Sequence, residues 1–247
     1  MQIYLLGLLF PLAFAKVEPN GGNIALSFNS DLLLRAMGVP ICARKCIDPF
    51  LDEVSSLWHM REIAKNAKKW CRSRAAALEC LNRSPSCDAH NLFKTATGTV
   101  EKMCGERAPL FEKMSPCLEK NGDIPAQICD AKCHGRANLT AFMNHPAIVR
   151  AAKMGGNIMA VSEHLGGLCS SLHCELPCVT VEANKVCPLS GWLVLDVLLQ
   201  PFESVADLLL NASPTLKDFI EKKMDKRCHF ALEKSELLRM RKGQFRN

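Results

Sequence analysis

Apolar residues recur at steps of three and four over much of the chain. Phe50, Val54, Leu57, Met60, Ala64, Ala67, Cys71, Ala75 and Leu78 form one such series. Side chains at these steps stack on one side of an α-helix, so the spacing predicts one long helix over 50–78. Leu216, Phe219, Ile220, Met224, Cys228, Ala231 and Leu232 repeat the pattern near the C-terminus, with Ser213 as N-cap and Pro214 at the first helical position. Breaks are predicted at Gly38-Val39-Pro40, Ser84-Pro85, Ser115-Pro116, Asn121-Gly122 and Gly166-Gly167. The composition points the same way: 33 Leu and 25 Ala stand against 12 Val, 10 Ile and 6 Thr. Strands enrich β-branched residues and helices do not, so the expected class is all-α.

Two apolar stretches need a separate reading. Residues 1–15 carry no charge, run apolar from Ile3 to Phe10, and end in Ala13-Phe14-Ala15 before Lys16. This reads as a secretory signal peptide, too short to span a bilayer, with export as the expected localisation. Residues 16–40 then read as a leader segment, loose over the polar, glycine-containing residues 16–30. The stretch from Leu189 to Leu210 contains Asp196, Glu203 and Asp207 and is broken by Pro201. Charges at mid-membrane cost kilocalories each, so a buried helix pair is expected and no membrane span.

Export changes what the cysteines mean. The chain has 14 of them among 247 residues, and in an oxidising compartment an even count predicts disulfides. None shows the C-x2-C spacing of zinc knuckles or redox sites. The motif Ile41-Cys42-Ala43-Arg44-Lys45-Cys46 returns as Ile128-Cys129-Asp130-Ala131-Lys132-Cys133. Taking each as the start of a module gives 41–127 and 128–233, followed by a basic tail over 234–247. The first module then holds Cys42, Cys46, Cys71, Cys80, Cys87, Cys104 and Cys117. The second holds Cys129, Cys133, Cys169, Cys174, Cys178, Cys187 and Cys228. An odd number in each half means that full pairing requires at least one bond between them. Cys174 and Cys178, four apart, point to one helix face and suit bonds to a neighbouring segment.

The search for chemistry yields less. No H-E-x-x-H, G-x-S-x-G, G-x-G-x-x-G or P-loop pattern occurs. No catalytic residue, metal ligand or cofactor site is nominated. The nearest approach to a ligand set is His164, Cys169, His173, Cys174 and Cys178, read as disulfides beside surface histidines. Lys and Arg number 31 against 25 Asp and Glu, an excess too mild for nucleic-acid binding by itself. Arg61, Lys65, Lys68 and Arg72 fall on one helical stripe, with Lys69 and Arg74 beside it. Convergent cations of this kind grip polyanions, so the stripe is the candidate polyanion site, with Arg239, Arg241, Lys242 and Arg246 of the tail as an addition or a solubilising end. Three sequons, at Asn82, Asn138 and Asn211, mark candidate N-glycosylation sites; Pro214 follows the last directly.

The two I-C-x-x-K-C motifs, together with Trp70-Cys71, Cys80, Ser86-Cys87, Met103-Cys104-Gly105-Glu106 and Cys117, resemble the chondroitin proteoglycan 4 domain proteins of nematodes over about residues 40–230. That resemblance implies a disulfide-stapled helical bundle, a role in extracellular matrix or eggshell-type material, and no catalysis. It implies as partner a matrix polysaccharide or another extracellular protein. Some members carry chondroitin on Ser-Gly dipeptides; the sole one here, Ser190-Gly191, lies in an apolar stretch without an acidic cluster. The alternative from a different class is a helical carrier of apolar ligands such as lipids, since stapled helices can enclose a pocket.

Overall fold

The computed structural model describes residues 29–54, 60–88, 91–211 and 213–245. The signal segment 1–15, the start of the leader, and Trp58, His59, His90 and Arg246 lie outside the described residues. Among those described, every regular element is a helix.

Chain reversal begins early. Helix α1 (Ser30–Ala36) leads to α2 (Ile41–Val54) and α3 (Met60–Asn82), and α2 packs along α3. Trp70 of α3 is fully buried, and its indole N–H donates to the Glu53 carbonyl at 3.1 Å. The single helix expected over 50–78 is therefore two helices lying side by side. No Gly or Pro stands between Val54 and Met60, and both apolar faces look into the same core, so the step of three and four gives no sign of the reversal.

Short helices follow: α4 (Leu92–Ala96), α5 (Gly98–Cys104), α6 (Ala108–Asn121) and α7 (Asp123–Cys133). The break expected at Ser115-Pro116 does not occur, because α6 runs through with Pro116 inside it. Then come α8 (Gly135–Met143), α9 (Pro146–Lys153), α10 (Ile158–Glu163) and the long α11 (Gly166–Val186), which packs on α7 and α8. The apolar stretch after it forms the helix pair α12 (Ser190–Leu198) and α13 (Gln200–Leu210). Among the described residues no helix is long and apolar enough to cross a membrane. The C-terminal series splits into α14 (Pro214–Lys223) and a 3-10 turn, Lys226–Ala231, because Asp225 leaves the helix and accepts from the Arg227 N–H at 2.9 Å.

Both ends of the described residues belong to the core. In α1, Leu33, Leu34 and Ala36 are buried against α9. The Asn157 N–H donates to the Ala36 carbonyl at 2.8 Å, where Gly38 (φ +76°) and Gly156 (φ +109°) meet backbone to backbone. A Cβ on Gly156 would strike Gly38, so Gly156 is required by conformation and by space, and Gly38 by conformation. The leader segment is thus structural from Ser30 onward. Likewise the supposed basic tail forms α15 (Lys234–Arg241), whose Leu237 and Met240 are buried. One hydrophobic cluster runs through both halves, joining Leu33, Trp70, Phe111, Leu168, Phe202 and Leu237.

Candidate functional site

Among these features, the cysteine framework is the most ordered. Seven pairs form: Cys42–Cys87, Cys46–Cys80, Cys71–Cys104, Cys117–Cys187, Cys129–Cys178, Cys133–Cys174 and Cys169–Cys228. Their Cα–Cα separations run from 5.0 to 5.9 Å, inside the range a disulfide spans. No cysteine is free. The two halves share one wiring. In each, the I-C-x-x-K-C motif binds crosswise to a long partner helix or the turn just after it, first cysteine with fifth and second with fourth. The third cysteine of each half ties that long helix to a further element, at Cys104 or Cys228. One cysteine per half is left, and these two, Cys117 and Cys187, join the halves.

The basic stripe is less free than its sequence suggests. Arg61 faces Asp123 at 3.4 Å, Lys65 faces Glu62 at 3.6 Å and Lys68 faces Glu112 at 3.0 Å. The flanking Lys69 lies 3.6 Å from Glu53, while buried Arg74 reaches Glu101 at 2.5 Å and the Thr97 hydroxyl at 2.8 Å. Only Arg72 has no acidic partner among the described residues. Several of these acids come from α2, α5, α6 and α7, so α3 supplies few of its own and spacing along one helix could not reveal them.

The strongest charge cluster went unread in the sequence except as an argument against a membrane span. Asp196, whose side chain is 15% exposed, receives Lys102 at 3.1 Å, Arg107 at 2.7 Å and the Arg241 guanidinium. Arg241 also grips Glu203 through two bonds of 2.8 and 2.5 Å. Burial works to raise the Asp196 carboxyl, and hydrogen bonds from Arg107 and Lys102 with the Arg241 charge outweigh it, holding it below the usual range. Arg241, taken from sequence as part of a solubilising or polyanion-binding tail, is instead the lock of α15 onto α12 and α13.

Glu175 is the second unread group, a lone acid on the apolar side of α11. Only 6% exposed, its carboxyl lies against Gly135 at the start of α8, and its Oε1 has no hydrogen-bond partner among the described residues. Burial, reinforced by the nearby Asp130, pushes it up to about 7. A Cβ on Gly135 would collide with this carboxylate, so glycine is what lets the acid approach.

The histidine and cysteine cluster separates in space. Its cysteines are consumed by disulfides, His164 stacks on His145 with ring centroids 3.9 Å apart, and His173 packs edge-on to Phe230 at 5.0 Å. Burial, then the neighbouring His145, lowers the His164 imidazole. His173 and Phe230 line an open groove of about 420 Å³ with Lys226, His229 and Glu233. An apolar cavity bounded by Leu34, Ile47, Leu92 and Phe93 holds about 30 Å³, room for one water. Among the described residues no group of three or more His, Cys, Asp or Glu is placed to hold a metal ion.

The serine of the single Ser-Gly pair is fully buried, its hydroxyl donating to the Ala183 carbonyl at 3.1 Å. A Cβ on Gly191 would enter the Thr180 backbone, so helices α11 and α12 close directly over this dipeptide. The sequons differ from one another. Asn82 ends α3 and is exposed; Asn138 lies inside α8 and donates to the Ser171 hydroxyl at 2.7 Å; Asn211 donates to the Asp207 carbonyl at 2.9 Å.

Comparison with known proteins points to a family. The family model described as Chondroitin proteoglycan 4 matches residues 31–247. A Caenorhabditis elegans protein named Chondroitin proteoglycan 4 is 20% identical over 285 aligned residues, covering 93% of this chain and 35% of its own length. The chain thus spans about a third of that relative. No solved structure matches. With the match reaching from α1 through the C-terminal helix, the chain belongs to the chondroitin proteoglycan 4 family.

Proposed function

We propose that this protein is an exported, non-catalytic module of the extracellular matrix, a rigid helical body that meets matrix polysaccharide or another extracellular protein through its surface. The observation that carries the reading is the complete pairing of its cysteines. Such a framework forms and persists in an oxidising compartment and is rare in the cytosol. Pairing also removes every thiol from nucleophilic or metal-binding work.

The relative's printed name describes a proteoglycan. In this chain the buried Ser190 argues for a module that carries no chondroitin at its one Ser-Gly pair. The carrier reading draws little support from an apolar cavity of about 30 Å³, and the groove of about 420 Å³ is open and lined mainly by polar and charged groups such as Lys226, His229 and Glu233, whereas small-molecule sites of roughly 300–1,000 Å³ are lined mostly by apolar ones. Expression of the full chain in secreting animal cells tests the proposal. The expected product is in the medium, resists thiol labelling until reduced, and keeps its mass after chondroitinase digestion. Retention inside the cell, or free thiols in the native product, would overturn it.

A further inference from the structure

We infer that this chain carries an N-linked glycan at Asn82, and that the sequon at Asn138 stays bare. The inference rests on the export proposed above. Transfer joins the Asn side-chain nitrogen to the sugar of an activated lipid-linked oligosaccharide, releasing the lipid pyrophosphate, and the bulky product must remain on the surface once the chain folds.

At Asn82 the chain leaves α3. Arg83 turns, Ser84 is irregular, and residues 82–86 are all exposed. The Asn82 amide makes no hydrogen bond among the described residues, so a glycan displaces nothing. The downstream disulfide Cys42–Cys87 anchors the segment without covering it.

Asn138 offers the opposite. All of Asn138, Leu139 and Thr140 lie within α8, and Leu139 is buried. The nitrogen that would take the sugar donates to Ser171, which is 3% exposed and donates onward to the Cys133 carbonyl at 3.0 Å. A glycan there would pry α8 from α11 beside the Cys133–Cys174 bond. Asn211 is exposed like Asn82, its amide donates to the Asp207 carbonyl at the end of α13, and both sequons run directly into a proline, Pro85 and Pro214.

The test uses two versions of the full chain, one natural and one preceded by a strong heterologous signal sequence. Enzymatic glycan release converts each modified Asn to Asp, which peptide mass mapping reads site by site. Conversion at Asn82 and none at Asn138 is expected; Ser84→Ala should reduce the gel shift by one glycan while Thr140→Ala leaves it intact. An unmodified Asn82, or conversion at Asn138 in folded protein, overturns the inference. Glycosylation of the second version with no secretion of the natural chain would leave Asn82 standing and count against the export reading instead.

Discussion

Cys117 and Cys187 are bonded across 70 residues, and theirs is the one disulfide that crosses from the first half of the chain to the second. It joins α6 to the end of α11, where Leu118, Ala183 and Val194 form a small core of their own. The other six bonds close within a half. This bond and the shared core make two similarly wired halves into one body.

Replacing both partners, as Cys117→Ser with Cys187→Ser, should leave the remaining six bonds in place. Loss of a cross-link closing so long a loop should cost about 2–4 kcal/mol. Urea unfolding followed by circular dichroism reads this as a lower midpoint. An unchanged midpoint would mean that the shared core alone holds the halves together.

Glu175 predicts an unusual pH response. Its carboxyl titrates near 4.5 in the unfolded chain and about 7 in the folded one. Between those values the folded protein holds a proton that the unfolded chain has released. This group's contribution to stability is therefore full below about pH 4.5 and is lost as pH rises through 7. Glu175→Gln should raise stability at pH 8 by up to roughly 3 kcal/mol and change little at pH 4. Thermal melts of both proteins across pH 4–8 check this; parallel curves would contradict it. Gly135→Ala, which drives a methyl into the same carboxylate, should destabilise by about 1–3 kcal/mol.

Asp196 works in the opposite direction. Its folded pKa lies below the 3.8 of the free group, so its stabilisation is present above that pH and is lost as pH falls through the lowered value. Asp196→Asn leaves Lys102, Arg107 and Arg241 without their common counter-charge. The expected cost is about 2–4 kcal/mol at pH 7, shrinking toward pH 3. Denaturant melts at both pH values measure it, and an equal cost at each would refute the assignment.

Changing Arg61, Lys65, Lys68 and Arg72 together to Gln should alter retention on immobilised chondroitin sulfate only slightly. Three of the four already face carboxylates, whose negative charge offsets theirs toward a polyanion. A large fall in elution salt would restore the stripe as the main polyanion contact.

The sequence made the helical class, the buried pair over Leu189–Leu210 and the need for a bond between halves legible, because each rests on local periodicity or on parity. It hid what depends on distant partners. The α2–α3 reversal has no Gly or Pro to mark it, the acids facing the stripe come largely from other helices, and Arg241 looks solvated until Asp196 and Glu203 arrive beside it. Glu175 left a faint signal as an acid between Cys174 and Leu176, but only the approach of Gly135 gives it meaning.

The most direct test is a non-reducing peptide map of the protein collected from medium, with thiols blocked at harvest. Seven bonded peptides are expected, with Cys117 joined to Cys187 and each I-C-x-x-K-C motif bonded crosswise, Cys42 to Cys87 and Cys46 to Cys80, Cys129 to Cys178 and Cys133 to Cys174. Free thiols, or a map in which no bond joins residues 42–117 to residues 129–228, would contradict it.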